Sequence, residues 1–377
     1  MEDVFSLADE LGPTKIIHVH EPSIGLKAVL VVDNVAMGPS IGGVRMAVDV
    51  STKECFRLAR AMTFKNAAAG LPHGGGKVVL YGDPRLPKGE KQTLIRALAS
   101  SLRNLEEYIF APDMGTDEEC MAWVRDEIGR VVGLPRELGG IPLDEIGATG
   151  WGLTQATEVA LRHCDFEVVG ARVVVQGFGA VGRHAARFLT ERGAVLVAVA
   201  DSQGSISSPR GLDLDALLRL KRDGRSVSEH SAGTSLGPEA VIDVDCDLWI
   251  PAARPDVVND ENVHRLKAKV VVEGANIPLT AGAERVLHER GVLCVPDFIA
   301  NSGGVICAAM EYHGASEEAV FASIEGKVRR NTELVLDAAD RNGMLPRRAA
   351  LELAGERIRK AMSFRRWSLF SAAPGSI

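Results

Sequence analysis

Three side chains in the first third of the chain have the types and the setting for chemistry: Lys65 in MTFKNAAAG, Lys77 in GLPHGGGKVVL and Asp113 in APDMGTD. A lysine behind three glycines suggests a phosphate-cradling P-loop. That loop needs a glycine five places before Gly76 and a Ser or Thr after the lysine. Leu71 and Val78 occupy those places, so the P-loop is excluded. Two ammonium groups among Gly and Ala repel each other and lose hydration, and either effect lowers a lysine pKa toward the range where it works as base or acid. The alternative is a pair of ordinary surface lysines, for which small apolar neighbours give little reason. His73, between Pro72 and the glycines, reads as a structural turn histidine rather than a metal or acid/base group.

A second constellation lies further on. VVVQGFGAVGRHA places Gly177, Gly179 and Gly182 in the G-x-G-x-x-G spacing after a strand, with Ala180 and Val181 opening a helix. The first glycine makes the turn, the second admits a pyrophosphate to the backbone, and the third packs helix on strand. A second strand, AVLVAVAD, ends in Asp201, close to the expected ~20 residues downstream, where an acid accepts from a ribose 2′-hydroxyl. This is a dinucleotide site, and a carboxylate there favours NAD over NADP because it repels a 2′-phosphate.

Positioning these residues takes two kinds of element. KIIHVHEP, LKAVLVVDN and GKVVLYGDP read as strands; STKECFRLARAMTFKNAAAG, capped at Ser51 or Thr52, and KGEKQTLIRALASSLRNL read as helices. GLPRELGGIPLDEIGATG is rich in Gly and Pro and marks a domain boundary. Beyond it, strand–turn–helix units and the short apolar runs VDCDLWIPAA, AKVVVEGAN and GVLCVPDF indicate a doubly wound parallel sheet. From Ser316, Val320, Ile324, Val328 and Val335 mark a long amphipathic helix closed by Gly343 and Pro346. Trp151 and Trp249 read as core aromatics.

The chain has 377 residues, enough for two domains, with 46% hydrophobic and 25% charged residues. A net charge of −7 argues against nucleic-acid binding. Six cysteines without C-x-x-C spacing suit reduced, mostly buried thiols rather than disulfides or a metal site. The N-terminus lacks a signal-peptide pattern and no run reaches the ~18 apolar residues of a membrane helix. A cytoplasmic protein without a metal is expected.

The motifs GPSIGGVRM, RLARAMTFKNAAAGLPHGGGKVVL, APDMGTDEECMAWV, GATGWG, VQGFGAVG, EGANIPLT and NSGGVI together resemble the glutamate/leucine/phenylalanine/valine dehydrogenase family, in order, from about residue 15 to about residue 340. The resemblance implies an N-terminal α/β substrate domain, residues 1–147, and a Rossmann-type dinucleotide domain, residues 148–330, with a cleft between them and a helical tail, 331–377, returning to the first. It implies oxidative deamination of an L-amino acid to a 2-oxo acid and ammonia. Lys65 would bind the α-carboxylate beside Gly42 and Gly43, Lys77 would activate water, and Asp113 would shuttle protons. Thr149 and Asn276 would lie near the cofactor, and Asn301 with the SGGV after it near the substrate side chain. Such proteins are symmetric oligomers, so a homo-oligomer is expected. A cofactor-binding protein without catalysis is the reading from another class, and the presence of all three chemical residues weighs against it.

For the substrate, glutamate-specific members carry a lysine before GG-x-R and a serine three residues after the valine of GGV; this chain has Ile41 and Ala308. KNAAAGL and GGGK resemble the leucine and phenylalanine branch, whereas APDMGT and ATGWG resemble the glutamate branch. The reading is an apolar L-amino acid, with glutamate second. The FRRWSLF tail reads as an interface segment or a mobile end.

Overall fold

A computed structural model describes residues 4–364, divided into two units. Within them, the first comprises residues 4–143, 305–320 and 352–364, and the second residues 144–304 and 321–351.

The first unit is built on a five-stranded sheet: β1 (Lys15–Glu21), β2 (Leu26–Asn34), β3 (Ser40–Ala47), β4 (Gly74–Tyr81) and β5 (Tyr108–Pro112), in the order β1-β2-β4-β3-β5. β2 is antiparallel to both β1 and β4, while β3 runs parallel to β4 and β5. Strand side chains alternate between faces. One face contributes Leu30, Val32, Val44, Met46, Val78, Leu80, Tyr108 and Phe110 to a core with α2 (Lys88–Ser101) and α3 (Glu118–Ile128). The other face packs Val29, Val31 and Val79 against Cys55 and Ala59 of α1 (Thr52–Ala68). Ser51 caps α1 by accepting from Glu54 N, and Asp117 caps α3 from Cys120 N.

β4 begins at Gly74, so the strand expected from Gly76 takes in all three glycines and lies at the centre of the sheet. Gly75 pairs with Asn34 on one side and Ile41 on the other. β3 and β5 were not legible as strands: glycines at 42 and 43 break the first pattern, and the second has only five residues.

In the second unit, α4 (Leu143–Ile146) and α5 (Ala148–His163) lead into a seven-stranded sheet ordered β12-β11-β10-β6-β7-β8-β9. β6 (Arg172–Gln176), β7 (Val195–Ala200), β10 (Leu248–Pro251), β11 (Val270–Val272) and β12 (Leu293–Val295) are parallel; β8 (Ser205–Ser207) and β9 (Thr234–Leu236) extend the edge antiparallel. The expected parallel sheet is thus a mixed one, because two three-residue polar strands carry no apolar run to reveal them. Helices α6 (Ala180–Thr190), α7 (Leu214–Arg222) and α8 (Ala281–Glu289) lie between these strands, and α9 (Asp297–Ala300) follows the last of them. Trp249 is fully buried in this core. Trp151 is half-buried, donates to Phe321 O at 3.2 Å and meets Phe188 and Phe321 edge-on.

The closing helices are α10 (Gly303–Tyr312), α11 (Glu317–Asn342) and α12 (Pro346–Ser363). Residues 321–351 group with the second unit, whereas Arg357 of α12 donates to the carbonyls of Ala67 and Ala68 at the end of α1. The sequence reading began the return at residue 331; the contacts that cap α1 come from residue 357. The FRRWSLF segment lies outside the described residues from 365 on.

Candidate active site

Lys77 sits in the middle of β4, level with Val31 of β2. Alternation puts its side chain on the face covered by α1, and the same rule puts Gly43 and Ile41 there from β3. Asp113 follows directly on β5, at the carboxyl end of the parallel strands. The Asp113 carboxylate pairs with the Lys77 ammonium, and Arg45 Nε donates to the same Oδ2 at 3.3 Å. Arg45 is in turn held by Glu54 of α1 at 2.9 Å. Burial raises the Asp113 carboxyl, but the charge and hydrogen bond of Lys77, the Met114 backbone and Arg45 outweigh it and leave the group below its ordinary value.

The charged group in contact with Lys77 is the Asp113 carboxylate. Lys65 lies in the last turn of α1, half-buried. The triple glycine serves the packing of the sheet. A Cβ on Gly74 would lie 1.8 Å from Asn34 O, on Gly75 2.0 Å from Thr63 N, and on Gly76 2.9 Å from the Tyr108 ring. These glycines make room for the protein itself. The one that makes room at the chemistry is Gly43, whose Cβ would lie 2.7 Å from Asp113 Cβ and 3.2 Å from Lys77 Nζ. Gly42 is closed by Gly76 O at 1.8 Å, and the buried Tyr108 hydroxyl donates to the Gly42 carbonyl. Neither Arg45 nor Tyr108 was singled out from sequence; the arginine two places after Gly43 in GGVRM was the available signal.

Ile41 is buried, 4% exposed, and Ala308 is half-buried in α10. His73 is buried; its Nδ1–H donates to Pro39 O at 3.1 Å, and its Nε2 lies 3.3 Å from His313 Nε2. Burial lowers it to about 4.

In the second unit the glycine loop has the form the motif requires. Gly177 has φ +99°, and a Cβ there would strike Ala253 at 2.7 Å, where the loops after β6 and β10 meet. Gly179 has open space on its Cβ side and opens α6 without a side-chain cap. Gly182 is pressed 1.9 Å from Gly177 O, which locks helix onto strand. The helix therefore presents uncapped N–H groups, from Ala180 and Val181 onward, at the carboxyl end of a parallel sheet where the strand order reverses. A pyrophosphate fits this cradle.

Asn276 is exposed on the loop after β11, and its Oδ1 accepts from Asn301 Nδ2 at 3.2 Å, which turns its own amide N–H group outward. Thr149 lies in the first turn of α5, whose Ala148 carbonyl would be 2.1 Å from a Cβ on Gly303. Residues 149, 276, 301 and 303 thus gather around one set of loops. A buried cluster missed from sequence supports them. Arg347 donates to Glu273 at 2.6 Å, to Glu284 at 2.5 Å and to Asp297 at 2.8 Å, and Asp297 Oδ2 accepts from Ile277 N at 2.8 Å.

Asp201 follows directly on β7, as the motif requires. Its carboxylate is 7% exposed and ligated by Lys221, Ser226 and three backbone N–H groups. Burial raises the group, but these donors prevail and hold it at about 2. The carboxylate expected to read a ribose is spent inside the protein. Among the described residues, no group of three His, Cys, Asp or Glu is placed to hold a metal, and no helix is long and apolar enough to cross a membrane.

Residues 139–366 match the Glutamate/Leucine/Phenylalanine/Valine dehydrogenase family, and residues 13–130 match the Glu/Leu/Phe/Val dehydrogenase dimerisation domain. The chain is 38% identical over 358 residues to the glutamate dehydrogenase of Aeropyrum pernix, covering 89% of this chain and 85% of that one. It is 36% identical to the NADP-specific glutamate dehydrogenase of Saccharolobus shibatae, covering 78% and 72%. The hetero-hexameric glutamate dehydrogenase of Thermus thermophilus in its Leu-bound form superposes with a TM-score of 0.83 at 31% identity, over 95% of this chain and 91% of that chain. With both halves matched and the fold reproduced, the chain belongs to the glutamate/leucine/phenylalanine/valine dehydrogenase family.

Proposed function

We propose that the chain catalyses reversible NAD(P)-dependent oxidative deamination of L-glutamate to the 2-oxo acid and ammonia. The observation that carries the reaction is the Lys77–Asp113 pair beneath Gly43, an ammonium and a carboxylate in contact where a side chain at position 43 would fill the space. Lys65 holds the substrate α-carboxylate; Lys77 polarises and deprotonates the attacking water; Asp113 passes protons to and from the nitrogen. When bound, the dinucleotide supplies the acceptor for the α-hydride. Gly177, Gly179 and Gly182 hold it with the N–H groups of Ala180 and Val181, and Thr149 and Asn276 flank it. The relatives' names support glutamate as the substrate.

One observation favours an apolar amino acid instead. Ile41, on the Lys77 face of the sheet, and Ala308 offer no partner to a distal carboxylate, and an unpaired buried carboxylate costs roughly 3–5 kcal/mol. The chain works as a homo-oligomer, a reading supported by its match to a dimerisation domain. Its six free cysteines, five of them buried, suit a reducing cytoplasm.

The test is nicotinamide reduction at mildly alkaline pH with NAD and with NADP across a panel of L-amino acids, using Lys77→Ala as blank. Turnover dominated by glutamate supports the proposal. Turnover with leucine, valine or phenylalanine and little with glutamate transfers it to the apolar reading. Silence across the panel with cofactor still bound leaves a non-catalytic, cofactor-binding role.

A further inference from the structure

We infer that Lys221 sets the coenzyme choice of this chain, by cancelling the charge of Asp201 so that the 2′-phosphorylated dinucleotide is admitted alongside NAD. The inference rests on the dinucleotide reading above and concerns only how its adenosine end is selected. In a βαβ dinucleotide fold the acid at the end of the second strand earns its selectivity in two ways: free lone pairs accept from the ribose hydroxyls, and an uncompensated charge repels a 2′-phosphate. Asp201, at the end of β7, has neither.

A carboxylate offers about four lone-pair positions. Oδ1 accepts from Gln203 N at 3.0 Å, Gly204 N at 3.3 Å and Ser226 Oγ at 2.9 Å; Oδ2 accepts from Lys221 Nζ at 2.8 Å and Val227 N at 3.0 Å. Five donors therefore fill the acceptor, and the side chain is 7% exposed. The carboxylate ties together its own turn, the last turn of α7 and the capped turn at Ser226–Glu229. Of the pair, the Lys221 side chain is the more exposed, at 27%, with the exposed Ser202 and Gln203 beside the turn. A 2′-phosphate meets an ion pair of no net charge.

The experiment titrates the full chain with NAD+ and NADP+ calorimetrically, without amino acid. In the wild type NADP+ binds no more than tenfold more weakly than NAD+; a greater preference for NAD+ overturns the inference. Lys221→Met, which leaves the Asp201 charge uncompensated, shifts the ratio of constants at least tenfold toward NAD+; a smaller shift overturns it. Asp201→Asn serves should that variant not fold. It retains NAD+ binding within threefold and strengthens NADP+, whereas a tenfold loss of NAD+ affinity shows a ribose contact and overturns the inference. Absence of binding by either dinucleotide removes the dinucleotide reading itself, a failure distinct from a strong NAD+ preference.

Discussion

At the scale of single residues, the site depends on a side chain that is missing. Gly43 carries no Cβ, and one placed there would sit 2.7 Å from Asp113 Cβ and 2.8 Å from Pro112 O, neither of which belongs to a flexible side-chain end. Gly43→Ala must therefore push β5 and Asp113 away from Lys77. Overpacking of this kind costs about 1–3 kcal/mol. A displacement of roughly 1 Å at the reacting groups costs on the order of 100-fold in rate. The expected outcome is a fall in kcat of about that size in a chain that remains folded by circular dichroism. Wild-type kcat in the variant would show that the Lys77–Asp113 spacing is not what the reaction uses. The residue scale also shows where sequence misleads: Lys77 and Asp113 were visible as types, but their contact joins residues 36 positions apart, and no spacing rule reports it.

At the scale of elements, two buried polar knots invite measurement. Arg347 of α12 sets one cation against Glu273, Glu284 and Asp297, whose side chains are 0%, 6% and 7% exposed, and burial with the neighbouring acids pushes the Glu273 carboxyl well above its ordinary value. Removing one partner of such a cluster costs about 3–5 kcal/mol, because the remaining charges stay buried. Arg347→Met is expected to lower unfolding stability by that order in urea melts, and Arg347→Lys to recover only part of it, since a single ammonium cannot fork to three carboxylates. Full recovery by lysine would show that charge alone matters.

The second knot joins the start of β4 to α10 through His73, His313 and the edge-on Tyr312 ring. His73 is held at about 4, against an ordinary value of 6.5, chiefly by burial. Between those values the unfolded chain binds a proton that the folded chain does not, so stability falls as pH drops through the window, by about 3 kcal/mol in all. His73→Gln should flatten that part of the slope in melts between pH 7 and pH 4. An unchanged slope would place the titration elsewhere.

At the scale of the whole molecule, the two units hold different candidate groups, the Lys77–Asp113 pair in the first and the G-x-G-x-x-G turn proposed to hold the dinucleotide in the second. A ligand that binds only the folded protein stabilises it by about 2.7 kcal/mol at 100 times its Kd. NAD+ should therefore raise the melting temperature of the wild type. It should not raise that of Gly182→Val, whose Cβ would overlap Gly177 O at 1.9 Å and pry α6 from β6. Stabilisation of the variant by NAD+ would place the cofactor elsewhere.

Some of this could be read from the chain alone because the determinants are local. The glycine spacing after VVVQ, the Ser51 cap, the β-branched runs of β2, β6 and β7 and the amphipathic run of α11 each act within one or two turns of backbone. They made legible the doubly wound half, its glycine turn and the types of the candidate side chains. The tertiary structure decided what depends on distant partners. GGGK became a central strand because Asn34 and Ile41 pair across it, and β3 and β5 became strands because β4 lies beside the first and the first beside the second. The Asp201 carboxylate is engaged within the protein because Lys221 and Ser226, 20 and 25 residues away, reach it. A side chain's type follows from sequence, but its remaining hydrogen-bonding capacity and charge follow from whichever partners the fold brings to it.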